Sequence, residues 1–238
     1  MAAIRRDSDL FYATADDSDP SLPVASCPGW TIADLVWHLG EVHWFWGSVI
    51  EMRASDPASV EAAKPPRPAV YAELVAWGRG QVDRMISLLE QNEDATKVWT
   101  WSPTQQTVGF IRRHQVQEAA VHRWDLQQAA AQAPPDPIDA VAAADSLDEL
   151  LEVTLPWTVD EKKPLAGSVH IHCTDTDGEW FVHPEGRVEP IHAKGDAAIR
   201  GTASDLLLVL FKRLGIEHAE LVGDQALARL FVERFDTA

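Results

Sequence analysis

The apolar residues of this chain repeat with a helical period up to about residue 155 and with a strand period beyond it. That change decides which elements each part can form, because a helix needs a stripe at 3.6 residues and a half-buried strand needs alternation. Helical stripes run over 3–16, 69–91, 107–131 and 138–155, with a further one from Thr31 through Leu35, Val36, Leu39, Val42, Phe45, Trp46 and Val49. On the first helix, Ile4, Leu10, Phe11 and Ala15 are the expected inward positions. Thr31 with Asp34 three residues on is a capping box and marks where the second long helix starts. Loops rich in Pro, Ser and Asp at 16–28 and 56–68, and Pro134-Pro135-Asp136-Pro137, separate the stripes. Their lengths suit largely antiparallel neighbours, so 1–157 is expected to be a helical bundle.

From Ser168 the pattern alternates. Val169, Ile171 and Cys173 interleave with Ser168, His170 and His172, Asp177-Gly178 signals a turn, and 179–183 reads as the return strand of a hairpin. Strands at 188–193 and 197–201 and helices at 202–214 and 225–235 complete a small α+β domain over 158–238. The whole is α+β in class.

A formal charge of −17 on 238 residues argues against nucleic acid, which requires clustered Lys and Arg. No apolar run approaches a membrane span, and no apolar stretch follows the basic residues near the start, so no membrane association is expected. Cys27 and Cys173 have neither metal-ligand nor disulfide-framework spacing, which fits a reduced, cytoplasmic setting. Cys27 reads as a small residue in a turn just before a helix start. Nucleophile elbows, phosphate loops, dinucleotide fingerprints and H-E-x-x-H are all missing from the sequence. Gly78-Arg79-Gly80, inside a helical stripe, reads as a packing or bend feature.

Chemistry concentrates on 107–131. Glu118 and His122 lie four residues apart, hence on one helix face, and supply a hard oxygen and a borderline nitrogen suited to Zn²⁺ or a similar ion. A third ligand must come from another helix, and His38 is the candidate. Three protein ligands leave a position open, which is the catalytic arrangement. His114 pairs with Glu118 at the same spacing and His43 rivals His38, so spacing leaves the choice open. Trp37, Trp44, Trp46 and Trp124 are candidate pocket walls. Asp125 is placed either to hydrogen-bond behind the ligands or to form a surface pair with Arg123. His170 and His172 share a strand face and could bind a metal, but a solvent-facing hairpin is the reading that accounts for them better.

Cys27-Pro28-Gly29-Trp30-Thr31-Ile32-Ala33-Asp34-Leu35-Val36-Trp37-His38-Leu39 resembles the opening of the mycothiol-dependent maleylpyruvate isomerase family, within the DinB-like metalloproteins. Glu118-Ala119-Ala120-Val121-His122-Arg123-Trp124-Asp125 resembles its second signature. The stretch 200–208 looks like the small C-terminal domain of that family, itself similar to sterol-carrier domains. The resemblance implies a divalent metal, usually zinc, on His38, Glu118 and His122, with mycothiol as thiol cofactor or co-substrate. It further implies thiol addition to a small electrophile, bond rotation and elimination, or S-transfer, in a monomer or homodimer. It also implies an arginine for a substrate carboxylate, Arg213 first and Arg200 second. Two departures stand out: Gln117 where many relatives have His, and Phe211-Lys212-Arg213 where they often read Trp-Gly-Arg. A non-catalytic metal or small-ligand module and a hydrolase of thiol conjugates are the alternatives.

Overall fold

A computed structural model describes residues 1–159 and 163–235. The described chain divides into two compact units, Met1–Asp136 and Pro137–Ala238.

The first unit is built on α1 (Ala2–Asp16), α2 (Ile32–Met52), α4 (Tyr71–Glu90) and α5 (Val108–Ala130), with a single-turn α3 (Ala58–Glu61) in the loop after α2. Helix α2 packs on α4 and α5, and α1 on α5 and α4, closing a four-helix bundle. The capping box forms as the sequence predicts: the Thr31 hydroxyl accepts from Asp34 N, and Thr31 N donates to Asp34 Oδ2 at 2.9 Å. A hydrogen bond from Arg67, joined by those from Thr31, draws the Asp34 carboxyl down to about 2. Thr107 caps α5 by accepting from Phe110 N, and Ala131 ends it in the left-handed region at φ 51°. Ile4, Phe11 and Ala15 are buried on α1, but Leu10 is exposed and Asp7, Ser8 and Tyr12 face inward instead.

One polar element lies inside this core. Arg123 on α5 reaches Asp7 on α1 at 3.2 Å, with both side chains almost fully enclosed. Removing one partner from a buried pair leaves an uncompensated charge and costs roughly 3–5 kcal/mol. The pair therefore fixes α5 against α1 one residue from His122. Arg123 and Asp125 are both buried, so the surface-pair reading of these two residues does not hold.

The second unit opens with α6 (Ala140–Glu149), a π-helical turn over Leu150–Thr154 and a short α7 (Leu155–Thr158). A five-stranded sheet follows, formed by β1 (Val169–Cys173), β2 (Glu179–Val182), β3 (Val188–Glu189), β4 (Ala197–Gly201) and β5 (Glu220–Gly223). The strand order is β3-β2-β1-β4-β5, with β1 parallel to β4 and the other pairs antiparallel. Helices α8 (Ala203–Leu210) and α9 (Gln225–Glu233) complete it. Val169, Ile171, Trp180, Val182, Ala197 and Ile199 are buried on the inner sheet face.

The expected boundary at 157/158 falls instead at 136/137. Helix α6 packs on α8, Trp180 Nε1 donates to Asp148 at 2.8 Å, and Ile138 N donates to Ser204 Oγ at 2.9 Å. A periodic stripe shows that a helix has an apolar face but not which layer covers it, hence the misplacement. The strand expected over 188–193 stops at Glu189, because Pro190 has no N–H for a ladder.

Candidate metal centre

The bundle brings together side chains from α2 and α5. Donor atoms of His38, Glu118 and His122 all lie within 4.8 Å of one another. His122 Nε2 is 3.4 Å from Glu118 Oε2, and the His38 and His122 rings meet edge to face at 4.9 Å between centroids. The other face of the His122 ring system is fixed: Nδ1 is 3.0 Å from Asp125 Oδ2, and Asp125 is fully buried. An ionised carboxylate only accepts, so Nδ1 donates to Asp125 and Nε2 is the nitrogen left to face Glu118 or a cation between them. A carboxylate behind a histidine in this way sets the tautomer and raises ligand basicity.

Electrostatics follow from that cluster. Burial raises the Glu118 pKa, but hydrogen bonds and charges from His114 and His122 outweigh it and hold the carboxyl well below the usual range. Burial likewise opposes charge on His122, yet hydrogen bonds to Asp125 and Glu118 bring it up to about 9. In the metal-free protein a proton thus holds the place that a cation would take. The donor set fits a divalent ion: two imidazoles and one carboxylate converge, one imidazole is already oriented, and the carboxylate is ionised.

The rivals separate in the structure. His114 Nε2 contacts Glu118 Oε1 at 3.1 Å, so the His114/Glu118 pair does form, but it lies against Trp46, Trp101 and Phe110 rather than in the three-donor group. His43 is fully buried, its nitrogens lack a hydrogen-bond partner among the described residues, and burial pushes its pKa down to about 3. Cys27 sits in a turn, half-buried, with Sγ 4.0 Å from Asp125 Oδ2, and Cys27, His122 and Asp125 form an overlapping donor group.

Among the expected wall residues, Trp46 faces His114, whereas Trp37 stacks on Trp77 at 4.9 Å. Trp30, tilted against His38 at 4.8 Å between ring centroids, and Trp101 are wall residues that periodicity misses, because both lie in loops. Arg200 and Arg213 belong to the second unit. Arg200 on β4 pairs with Glu220 at 3.2 Å. Arg213, just after α8, donates to Phe211 O at 3.0 Å and lies over the Phe211 ring.

Residues 1–127 match the family model described as the mycothiol maleylpyruvate isomerase N-terminal domain, and residues 141–230 match the corresponding C-terminal domain. The chain belongs to the mycothiol maleylpyruvate isomerase family. Membership carries the enzyme class, a mycothiol-dependent isomerase, and the two matched segments fall one in each compact unit. The fold agrees. A crystal structure of the mycothiol-dependent maleylpyruvate isomerase aligns with TM-score 0.58 at 10% identity, covering 92% of this chain and 90% of that one. A mutant form of that enzyme aligns with TM-score 0.57 at 9% identity over the same shares. A sterol carrier protein 2-like protein from Aedes aegypti covers 40% of this chain and 98% of its own at TM-score 0.33 and 20% identity, too slight a likeness to carry the sterol-carrier comparison further. No curated protein matches the sequence. Among the described residues, no helix of this family member is long and apolar enough to cross a membrane.

Proposed function

We propose that this family member is a cytoplasmic, metal-dependent enzyme that adds mycothiol to a small unsaturated acid and releases its trans isomer. The metal, zinc by donor chemistry, is held by His38, Glu118 and His122. The observation that carries the reading is the convergence of these three donors from two helices with Asp125 behind His122.

When bound, such an ion lowers the pKa of a coordinated thiol, so that the thiolate is available near neutral pH. The remaining work belongs to the chain. Asp125 holds the His122 ring in one tautomer and orientation. Glu118 contributes one negative charge and so lowers the net charge that two neutral imidazoles would leave. Trp30, Trp46 and Trp101 give the site apolar walls, which strengthen charge interactions by keeping water out. Addition of sulfur to one alkene carbon leaves a single bond about which the product can rotate, and loss of the thiol restores the double bond. Arg213, or failing it Arg200, is proposed to hold the substrate carboxylate with its planar fork.

The test is elemental mass spectrometry of the purified full chain beside His122→Ala, coupled to mycothiol-dependent conversion of maleylpyruvate. The variant is expected to lose one equivalent of metal and its turnover while keeping its circular dichroism. Unchanged metal content and turnover in a folded His122→Ala protein would overturn the proposal.

A further inference from the structure

A second set of metal-type donors lies on the outer face of the sheet, wholly within the second unit. Strand β1 sets His170 and His172 two residues apart, hence on one face. The β1–β2 register puts Glu179 directly opposite His172. The segment after β3 then brings His192 over them. Its Nδ1 lies 2.8 Å from Glu179 Oε2, and its ring centroid lies 5.1 Å from that of His170 and 6.4 Å from that of His172. Glu179 Oε1 is 2.5 Å from His172 Nδ1, and Oε2 is 3.9 Å from His170 Nε2. One donor atom from each of the four residues lies within 4.8 Å of all the others.

His170 makes the cluster more than a surface network. Its side chain is 8% exposed, and its Nε2 has no hydrogen-bond partner among the described residues. A buried polar atom left unpaired is destabilising, a cost that a coordinated ion would offset. A cleft of about 770 Å³, lined in part by His172, Glu179, His192, Asp145 and Asp148, leads from solvent to the cluster. Arg200, beside His172 on β4, has its guanidinium against Glu220.

We propose that His170, His172, His192 and Glu179 form a second metal site, separate from the bundle centre, that takes a divalent first-row transition ion such as Zn²⁺. Three imidazoles and one carboxylate match the zinc, nickel and copper preference for nitrogen-rich donor sets and disfavour the oxygen-demanding Ca²⁺ and Mg²⁺. The exposed His192 and the open cleft make this an exchangeable site.

The experiment loads the untagged full chain with Zn²⁺ alone, removes excess by dialysis and counts bound zinc, with isothermal titration for affinity. His192 is 77% exposed, so His192→Ala leaves the fold intact, which circular dichroism checks. His192→Ala is expected to lower the zinc count by about one equivalent, or to weaken one class of sites on the order of 100-fold, in both wild type and His122→Ala. His172→Ala should do the same. If His122→Ala retains one equivalent that His192→Ala removes, the second site stands whatever the fate of the bundle centre. If zinc content and affinity are the same with and without His192 and His172, the four residues are a hydrogen-bonded network only and the proposal fails.

Discussion

Asp125 determines how His122 presents itself. It is fully buried, bonds Nδ1 at 3.0 Å and leaves Nε2 facing Glu118. Asp125→Asn puts a neutral amide where the anion stood, so metal affinity is expected to fall about 10–100-fold with all three ligands still present. Competition with a chromophoric chelator measures this, and an affinity within threefold of wild type would contradict the role. His43 governs a different property. Its folded pKa of about 3 lies below the ordinary 6.5, so the unfolded chain binds a proton that the buried ring refuses. That contribution to stability is complete above about pH 6.5 and is lost as pH falls towards 3. His122 has the opposite sign in the metal-free protein. Its folded value of about 9 lies above 6.5, so its contribution is complete below 6.5 and lost as pH rises through 9. Urea unfolding of chelator-treated protein, followed by tryptophan fluorescence, should therefore show a midpoint that falls on either side of an optimum near neutrality. Eight of the ten tryptophans lie in the first unit, so the signal reports mainly on the bundle. His43→Leu should flatten the limb from pH 6.5 to 5, and an equally steep limb in that variant would refute the assignment.

At the scale of elements, the approach of α2 to α4 and of α1 to α4 depends on glycine. A Cβ at Gly40 would come within 2.7 Å of the Trp77 ring, and one at Gly78 within 2.4 Å of the Tyr12 hydroxyl, whereas one at Gly80 would meet nothing within 4 Å. Gly80→Ala is thus expected to stabilise the protein by about 0.5–1 kcal/mol through helix propensity alone. Gly78→Ala should destabilise it by about 1–3 kcal/mol, because the buried Tyr12 ring has to shift. Thermal melts of the two variants should move in opposite directions, and a stabilised Gly78→Ala would show that the interface is looser than described. The Gly78-Arg79-Gly80 motif therefore holds one packing glycine and one without a packing constraint, a distinction invisible in sequence. The cap of α2 was legible, since Thr31 and Asp34 carry their own local geometry. Lys212 was not: it ends α8 at φ 57°, a left-handed position where relatives often carry glycine, and only the backbone reveals that it must adopt the glycine conformation. Strand β5 also escaped the sequence, because Glu220-Leu221-Val222-Gly223 is too short and too exposed at the sheet edge to show alternation.

For the whole molecule, a change of period from 3.6 to 2 sufficed to read a bundle followed by a small α+β unit, because burial imposes those periods wherever a face meets a core. It did not suffice to assign α6, whose covering helix α8 lies more than fifty residues later. The candidate site divides in the same way. Glu118 and His122 were legible as a pair because a helix makes i and i+4 neighbours, while the choice of His38 over His43 depends on where α5 lies against α2. Glu179 and His192 join His170 and His172 only through strand register and a returning loop, which no spacing encodes. The formal charge of −17 gives no general attraction for an anionic acid, so the proposed substrate would need a local cationic group to hold it. The bundle centre is tested most directly by titrating the cobalt(II)-loaded full chain with mycothiol and recording near-ultraviolet absorbance. Thiolate coordination at His38, Glu118 and His122 predicts a saturable charge-transfer band in wild type and in His192→Ala that is lost in His122→Ala. A loaded wild-type protein that gives no band at saturating mycothiol, or a His122→Ala protein that keeps it undiminished, would contradict the bundle site.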